Sequence, residues 1–311
     1  MPNKDALTAQ DVALLLKIAK NTVYELVKRK ELGYYKVGRK LRFSMADVEK
    51  YIELRRSSSP IDHRNDISPV HASFKGSGFI ICGQDSILDV LAANLAGNQH
   101  LDRPPLRAYV GSYRGLTALY QGEVHAATSH LWDGDSGKYN VPFVRRLLPG
   151  IPCAIFHLTL RTQGLYVAQG NPKGIKGWED FNRPDLVMVN REKGAGSRVL
   201  LDEHLRLMNL PGGNIKGYAR EELNHLSVAG AVGRKEADMG VGDMKAASQV
   251  EGVDFIPLQQ EEYVLVLKKE DLSLQIVQAI LEILNSKDFM EQFRHMKGYD
   301  ISSIGKLVGE T

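Results

Sequence analysis

Cysteine is scarce in this chain, and long apolar runs are absent. The 311 residues include only two cysteines, Cys82 and Cys153, each within an apolar stretch. Two isolated cysteines form neither a disulfide framework nor a CxxC motif, so buried and reduced thiols are expected. No apolar run approaches the ~20 residues that cross a bilayer. Polar residues follow Met1, where a secretory signal would need an apolar stretch. We therefore expect a cytoplasmic protein without a membrane segment.

Charge is distributed unevenly along the chain. Residues 1–56 contain 13 Lys and Arg against 7 Asp and Glu, whereas the remaining residues contain 27 against 30. A basic first segment before a slightly acidic body indicates that the first segment meets a polyanion. A solvated basic surface without a partner would give the same counts, so charge alone leaves both interpretations open.

Helical spacing in residues 1–56 predicts three short helices around a hairpin. Thr8 is a good cap for the first helix, with Asp11 as a partial capping-box partner, and Asn21 is expected to cap the second. A two-stranded hairpin turns at Gly38–Arg39, and Ser44 caps the third helix. Basic side chains on the second helix and the hairpin suit phosphates and base edges. The predicted DNA contacts are Lys20, Asn21, Thr22, Tyr24, Lys28, Arg29, Arg39, Lys40 and Arg42.

Three blocks of this segment carry a family resemblance. LTAQDVALLL, NTVYELVKR and KVGRKLRFS resemble the DNA-binding domains of the MerR and phage-excisionase superfamily. The resemblance implies a winged helix-turn-helix that binds a double-stranded DNA operator, against the alternative of a small helical domain with no nucleic-acid role. We interpret residues 1–56 as this domain. Residues 57–77 are polar and contain proline and serine, so they are interpreted as a linker.

Residues 78–311 alternate apolar strand-like runs with helical patterns. This alternation predicts an α/β fold with a parallel or mixed sheet that is covered on both faces. Ligand sites in such sheets lie at the carboxyl ends of strands, where helix N-termini converge. Loops rich in glycine and small hydroxyl residues occur at these positions, and such loops favour anions. They are residues 83–86, 111–113, 128–130, 194–198, 224–225 and 242–243.

About residues 78–268 of this region resemble the periplasmic-binding-protein-like domain related to molybdate and tungstate receptors. The matching motifs include GSYRGLTALYQGEVHAATSHLWD and NREKGAGSRVLLDEHL. The resemblance implies a type II periplasmic-binding-protein fold with two lobes, and an oxyanion, tungstate or molybdate, as the ligand. Arg198 is the predicted charge contact, and His130 either contacts the ligand or braces the hinge. The predicted ligand-binding residues are Ser86, Ser112, Tyr113, Ser129, His130, Gly194, Gly196, Ser197, Arg198 and His225.

These features together predict a ligand-responsive transcription regulator. We expect it to act as a dimer or higher homo-oligomer on DNA, with a bound oxyanion as its effector and no cofactor. The sequence contains no nucleophile–base set and no metal-ligand spacing, which disfavours an enzyme. Three alternatives remain open: a sensor of a small organic anion, an enzyme on the same scaffold, and a recombination factor of the excisionase type.

Overall fold

The computed structural model describes residues 7–16, 18–29, 31–38, 40–45, 47–48, 51, 78–98, 101 and 103–311. The chain divides into two compact units, residues 1–71 and residues 72–311. The linker predicted at residues 57–77 lies outside the described residues. No described helix is long and apolar enough to cross a membrane.

The first unit begins with two helices, α1 (Ala9–Leu16) and α2 (Lys20–Lys28). The capping box predicted at α1 is confirmed: the backbone N–H groups of Thr8 and Asp11 each donate to the other residue's side chain, at 2.8 and 3.2 Å. The cap predicted for α2 was wrong. The helix starts one residue earlier, with Ala19 at the N-cap position and no side-chain cap, so Asn21 lies inside the helix.

A hairpin follows α2, formed by β1 (Tyr35–Val37) and β2 (Lys40–Arg42). Val37 pairs with Lys40 across the turn, and Gly38 has φ +62°, a left-handed conformation that glycine adopts without strain. Ser44 and Asp47 form a second capping box, at 3.0 and 3.2 Å, as expected for a third helix. Val12, Val23 and Phe43 are fully buried where these elements meet.

The second unit is larger and mixes strands with helices along its whole length. Its helices are α3 (Ile87–Ala96), α4 (Ser112–Gln121), α5 (Val141–Leu147), α6 (Gly196–Leu207), α7 (His225–Gly233), α8 (Met244–Ala247), α9 (Gln275–Leu284) and α10 (Lys287–Glu291). Its strands are β3 (Ile80–Cys82), β4 (Leu106–Ala108), β5 (Ala126–Ser129), β6 (Trp132–Asp133), β7 (Lys138–Tyr139), β8 (Cys153–Ala168), β9 (Met188–Arg191), β10 (Glu221–Glu222), β11 (Met239–Asp243), β12 (Val253–Lys268) and β13 (Leu307–Glu310).

Within the described residues, one mixed sheet contains all of these strands except the β6–β7 hairpin. Its order is β10-β9-β11-β8-β12-β5-β3-β4, and β13 also pairs with β8. The outer pairs, β9 with β10 and β11, and β3 with β4 and β5, are parallel. Strands β8 and β12 are antiparallel partners, each 16 residues long. This confirms the mixed, helix-covered sheet predicted from the sequence.

The buried apolar residues of the second unit form four clusters, which divide between two lobes joined by the long strands β8 and β12. Two clusters fill the first lobe, residues 78–158 and 263–311, and two fill the second lobe, residues 165–258. Between the lobes, the middle of β8 and β12 contains buried polar residues instead, including Thr159, Arg161, Gln163 and Glu261. Each lobe therefore has its own core, and the two strands connect the lobes through a polar middle section. Both cysteines are buried and free, as predicted.

Candidate functional site

A cavity of about 240 Å³ lies between the two lobes, beside the polar middle of β8 and β12. All six loops predicted to surround a ligand contribute at least one residue to its wall. These wall residues are Gln84, Asp85, Ser86, Gly111, Ser112, Thr128, His130, Ala195, Gly196, Asn224, His225 and Asp243. The loops converge because each lies at or just after the carboxyl end of a strand in the same sheet.

The floor of the cavity is an ion-paired network centred on Arg161. Its Nη1 donates to Asp85 Oδ2 at 2.6 Å, and its Nε donates to Glu261 Oε1 at 2.6 Å. The guanidinium also lies 4.2 Å from the ring centroid of Tyr263. Glu261 Oε2 lies 2.7 Å from His130 Nδ1. Arg161 and Glu261 face each other across β8 and β12, so the strand register places this network.

Burial and neighbouring charges have opposite effects on the pKa values of Glu261 and Asp85, the carboxylates of this network. Burial alone would raise the pKa of Glu261, but the charges of Arg161 and His130 outweigh it and lower the pKa to about 2. For Asp85, burial also favours the neutral form, and the charges of Arg161 and Lys245 lower its pKa below the ordinary value. Both carboxylates are therefore ionised at neutral pH, and Arg161 forms ion pairs with two negatively charged groups.

Two helix N-termini meet at the cavity wall. The N-cap positions of α4 and α6 are Gly111 and Ala195, and neither helix has a side-chain cap. The helices are close enough that a Cβ on Gly111 would lie 2.8 Å from the carbonyl oxygen of Gly194. Ser112 is only 4% exposed, and its hydroxyl has no hydrogen-bond partner among the described residues. Unfilled N–H groups and the helix dipoles give this part of the wall a preference for negative charge.

Polar contacts join the lobes around the cavity. The Tyr113 N–H donates to the Gly194 carbonyl at 3.1 Å, and Arg191 Nη2 donates to Gln84 Oε1 at 2.9 Å. Lys245 Nζ donates to Ser86 Oγ at 2.5 Å. Since each pair combines one residue from each lobe, the structure has the lobes closed over the cavity.

Five of the ten predicted ligand-binding residues line this wall. They are Ser86, Ser112, His130, Gly196 and His225. Burial lowers the pKa of His225 to about 4, so its imidazole is neutral at neutral pH. The ring of His130 packs against α6 so closely that a Cβ on Gly196 would lie 2.2 Å from its Cε1. His130 thus both bonds to Glu261 of the connecting strands and faces the cavity.

The other five predicted residues lie away from the wall. Ser129 and Ser197 are at most 1% exposed, and Tyr113 is 40% exposed at the surface. Gly194 has φ +92° and presents its carbonyl to Tyr113. These residues belong to the loops around the cavity but are not part of its wall.

Arg198 lies behind the wall, and the geometry does not support its predicted charge contact. Its Nε donates to the Asp202 carboxylate at 3.0 Å, and its guanidinium lies 4.3 Å from the ring centroid of Tyr218. Its Nη1 donates to the backbone carbonyl of Arg191 at 3.1 Å. The reason is that Arg198, in the first turn of α6, reaches the β9 carbonyl of Arg191 and is neutralised by Asp202 and Glu221. The cations on the wall are Arg161, Arg191 and Lys245.

Those three cations were missed by sequence reasoning, although one signal was present. Arg161 is the single Asp, Glu, Lys or Arg residue inside the long, largely apolar strand β8, and a buried charge needs a partner. Arg191 and Lys245 carry no comparable signal, because each is an ordinary basic residue next to a polar loop. Among the described residues, no group of three or more His, Cys, Asp or Glu side chains could hold a metal ion.

The predicted DNA-contacting residues are accessible to solvent where they are described. Lys20, Asn21, Thr22, Tyr24, Lys28, Arg29 and Lys40 are exposed, and Arg42 is half-buried. Arg42 donates to the carbonyl of Leu41 at 3.0 Å. The predicted contact Arg39 lies outside the described residues. Helix α2 and the hairpin therefore leave their basic side chains accessible to a polyanion.

Two family models match the chain. One, described as a PBP superfamily domain, matches residues 93–285. The other, described as a helix-turn-helix domain, matches residues 6–56.

Relatives and solved structures agree with these matches. The uncharacterized protein YvgK of Bacillus subtilis is 39% identical over 314 residues, covering all of both chains. An uncharacterized protein of Clostridium pasteurianum, from the 5′ region of a 2Fe-2S ferredoxin gene, is 45% identical over 112 residues, which cover 36% of this chain and 99% of that one. A P235GK mutant of ArgBP from T. maritima has the same fold for 71% of this chain and 95% of its own, with a TM-score of 0.50 and 14% identity.

The PBP superfamily model covers more than half of the chain. The chain therefore belongs to the PBP superfamily domain family, and it carries a helix-turn-helix DNA-binding domain ahead of that domain.

Proposed function

We propose that this protein is a transcription regulator that senses tungstate or molybdate in the cavity between its two lobes. A DNA-binding domain and a ligand-binding domain in one chain fit a ligand-sensing DNA-binding regulator. The oxyanion is our own step beyond that fit. It is supported by the motif resemblance and by the donors that the wall presents.

The observation that carries the oxyanion proposal is the meeting of α4 and α6 at the wall. Both helices reach the cavity without a side-chain cap, and the Ser112 hydroxyl between them has no partner among the described residues. Preorganised N–H and O–H donors suit a compact anion that accepts from every side. The wall cations Arg161 and Arg191 are already paired with Glu261 and Glu192. The third wall cation, Lys245, donates to Ser86 and Tyr299. We therefore assign recognition of the anion mainly to the fixed dipoles of this wall.

Ligand control of DNA binding requires a difference in affinity between two arrangements. Lobe closure is such a change, because the connecting strands can bend while each lobe keeps its own core. We propose that the protein binds a palindromic operator as a dimer, so that closure changes the spacing of the two DNA-binding domains. This places its action in the cytoplasm, together with the DNA.

The test of the ligand is isothermal titration of dialysed protein with tungstate, molybdate, sulfate and phosphate. We expect tight binding of the first two and a loss of at least about tenfold in Ser112→Ala, since one charge-assisted hydrogen bond is worth about 1.5–3 kcal/mol. Ser273→Ala is the matched control, because Ser273 is exposed in the second unit. Absence of heat with all four anions would refute the oxyanion proposal.

The test of the DNA function is a mobility shift with operator fragments, with and without the anion. Lys28→Ala should weaken binding to every DNA sequence by a similar factor. It should also reduce the slope of log affinity against log salt concentration by about one, because one fewer counterion is released. Lys297→Ala, at an exposed position of the second unit, is the control. If neither ligand state shifts any DNA, the regulator proposal fails whatever the titrations show.

A small organic anion is the second candidate, and Asp243 is the observation that favours it. This carboxylate lies on the wall: its Oδ1 accepts from the Ala246 N–H at 2.8 Å, and its Oδ2 lies 3.7 Å from Nε2 of His225. An organic ligand with an N–H or O–H group would supply the donor that Asp243 can accept from. Binding of such ligands, with no response to tungstate or molybdate, would select this candidate.

A further inference from the structure

Three consecutive residues late in the chain, Gly298, Tyr299 and Asp300, belong to the first lobe but reach the second lobe at α8. A Cβ on Gly298 would lie 3.3 Å from the Cβ of Lys245, and Lys245 Nζ donates to the Tyr299 hydroxyl at 2.6 Å. The backbone of Asp300 pairs with Leu160 of β8, with N···O distances of 2.9 and 3.1 Å. These residues therefore connect α8 of the second lobe to a strand that joins the lobes.

The Tyr299 hydroxyl has one hydrogen and three polar neighbours, so its hydrogen bonds have a fixed direction. Burial raises the pKa of Tyr299, and the hydroxyl keeps its hydrogen at neutral pH. An ionised carboxylate only accepts, so this hydrogen is donated to Asp85 Oδ1 at 2.6 Å. The hydroxyl oxygen is left to accept from Lys245, which also donates to Ser86 Oγ at 2.5 Å. One hydroxyl thereby links the ammonium of Lys245 to the carboxylate of Asp85.

The acceptors of the Lys245 ammonium are anchored without any help from the second lobe. Asp85 Oδ1 also accepts from the Ile87 N–H at 2.8 Å, and Asp85 Oδ2 accepts from Arg161 at 2.6 Å. Ser86 Oγ and the Tyr299 hydroxyl lie 2.8 Å apart in the first lobe. We therefore expect these groups to stay in place when the lobes separate, so that Lys245 is the member of the network that leaves.

Tyr299 can influence a ligand only through other residues. Asp85, Ser86 and Lys245 line the cavity, whereas Tyr299 is not part of its wall. The two helix N-termini of the wall belong to different lobes, α4 to the first and α6 to the second. An anion can contact both of them only when the lobes are closed. The anion and the contact between Lys245 and Tyr299 therefore stabilise the same arrangement of the lobes.

We infer that Gly298, Tyr299 and Asp300 form a strap that holds the lobes closed, and that Tyr299 is a positioning residue of the anion site. This inference rests on the proposed function, because it assigns the strap a role in retaining an anion. Loss of the strap destabilises the closed arrangement that traps the ligand. Affinity then falls mainly through faster dissociation, while the association rate stays near that of wild type.

The first experiment compares wild type with Tyr299→Phe, which keeps the ring and removes the hydroxyl. The full chain is titrated with tungstate, and both rate constants are measured by stopped-flow tryptophan fluorescence, since Trp132 and His204 stack across the lobes. We expect affinity to fall about tenfold, the effect of one lost hydrogen bond to a charged group, with most of the change in dissociation. Tyr120→Phe is the control, because Tyr120 is exposed and outside the wall.

A double-mutant cycle tests whether Tyr299 acts through Lys245. We expect Lys245→Met to weaken tungstate binding, and Tyr299→Phe to change affinity by less than about twofold in the Lys245→Met protein. Lys287→Met, at an exposed position of the first lobe, is the control. Losses that simply multiply in the double variant would overturn the inference. A loss in Lys245→Met with none in Tyr299→Phe would also overturn it, because it would mark Lys245 as a direct contact of the anion.

Amide hydrogen exchange without any anion tests the strap independently of the ligand. The Tyr113 N–H donates to the Gly194 carbonyl across the lobes, so its exchange reports lobe opening. We expect about tenfold faster exchange of this amide in Tyr299→Phe, and faster exchange in Lys245→Met should an unfolded Tyr299→Phe prevent the comparison. Exchange equal to wild type would overturn the strap. If wild type binds none of tungstate, molybdate, sulfate and phosphate, the proposed function fails, and the exchange rates still decide whether the strap holds the lobes.

Discussion

Trp132 stacks on His204 across the gap between the lobes, with ring centroids 4.4 Å apart and planes 13° from parallel. Trp132 belongs to the β6–β7 hairpin of the first lobe, and His204 belongs to α6 of the second. On its other face, His204 stacks on Trp178 at 3.9 Å. These are the only two tryptophans in the chain. The stack therefore links lobe closure to a spectroscopic signal that the protein already contains.

Removing the stack should weaken ligand binding without touching the cavity wall. An aromatic pair contributes about 0.5–1.5 kcal/mol beyond its buried area, and the Trp132–His204 pair joins one residue from each lobe. We expect the pair to separate when the lobes open. We expect His204→Ala to weaken anion binding roughly two- to tenfold in isothermal titration. The ligand-induced change in tryptophan fluorescence should shrink with it. Unchanged affinity in His204→Ala, with His295→Ala as control, would show that the stack does not contribute to closure.

Gly196 offers a test of the close approach between α6 and His130. A Cβ there would lie 2.2–2.5 Å from three atoms of the His130 ring, so the ring or the helix must move. The ring is held at Nδ1 by Glu261, and the displacement would therefore open the meeting point of the helix N-termini. We expect Gly196→Ala to weaken anion binding by at least about tenfold, the effect of losing one charge-assisted hydrogen bond.

The matched control for that substitution is Gly213→Ala in the same lobe. A Cβ on Gly213 meets no atom within 4 Å, so the added methyl group should be tolerated. Both variants are compared by titration and by thermal unfolding. Equal affinity of Gly196→Ala and wild type would mean that the ring moves at no cost, and that His130 is not held in place.

The strand-end loops could be predicted because their signal is local. Glycine, serine and asparagine before a helical pattern mark a loop and a helix start, and the topology of parallel strands brings such loops to one edge. All six loops reach the cavity. Which residues of a loop face inward depends on rotation of the following helix, and this is why Ser112 lines the wall while Tyr113 does not.

The charged floor could not be predicted in the same way. Arg161 reaches the cavity from the middle of β8, and its partner Glu261 is 100 residues further along the chain. Their pairing follows from the register of β8 and β12, which includes irregularities after Pro257 and Tyr263. No local pattern specifies that register. Arg198 was the more prominent basic residue in the sequence, but tertiary contacts with Asp202 and Glu221 neutralise it.

Lowering the pH should destabilise the folded protein already at pH values above those at which its carboxylates titrate. Burial lowers the pKa of four histidines, His125, His157, His204 and His225, below the ordinary value. The unfolded chain therefore binds protons at these sites more readily than the folded protein does. The neutral imidazoles contribute their full stability to the folded protein above the unfolded-state pKa of about 6.5. This contribution is lost as the pH falls from about 6.5 toward the lower pKa of the folded state. For His225, that window extends down to about pH 4.

The measurement is the free energy of unfolding from denaturant titrations at several values between about pH 7.5 and 4.5. We expect it to decrease with falling pH in wild type and to decrease less steeply in His225→Gln. The exposed His295→Gln should follow wild type. A flat profile in wild type over this range would contradict the neutral, buried state of these imidazoles.

Substituting the two residues that were predicted to cap α1 and α2 distinguishes a structural role from a DNA-contacting role. Thr8 exchanges hydrogen bonds with Asp11, whereas Asn21 lies inside α2 without a capping role, and both were expected to cap helices. Replacing an N-cap by alanine costs about 1 kcal/mol, so Thr8→Ala should open the first unit about fivefold more often. Asn21→Ala should leave opening unchanged, because an exposed substitution away from such contacts changes stability by only about ±0.5 kcal/mol.

Amide hydrogen exchange of the full chain, followed over the peptides of residues 7–51, measures the opening of this unit separately from the second unit. DNA affinity should respond in the opposite order. Asn21→Ala removes a polar group from the exposed face of α2 and should weaken operator binding at constant stability, while Thr8→Ala acts only through opening. Faster exchange in Asn21→Ala than in Thr8→Ala would mean that Asn21 supports the helix after all, and its assignment to the DNA-binding face would lose its basis.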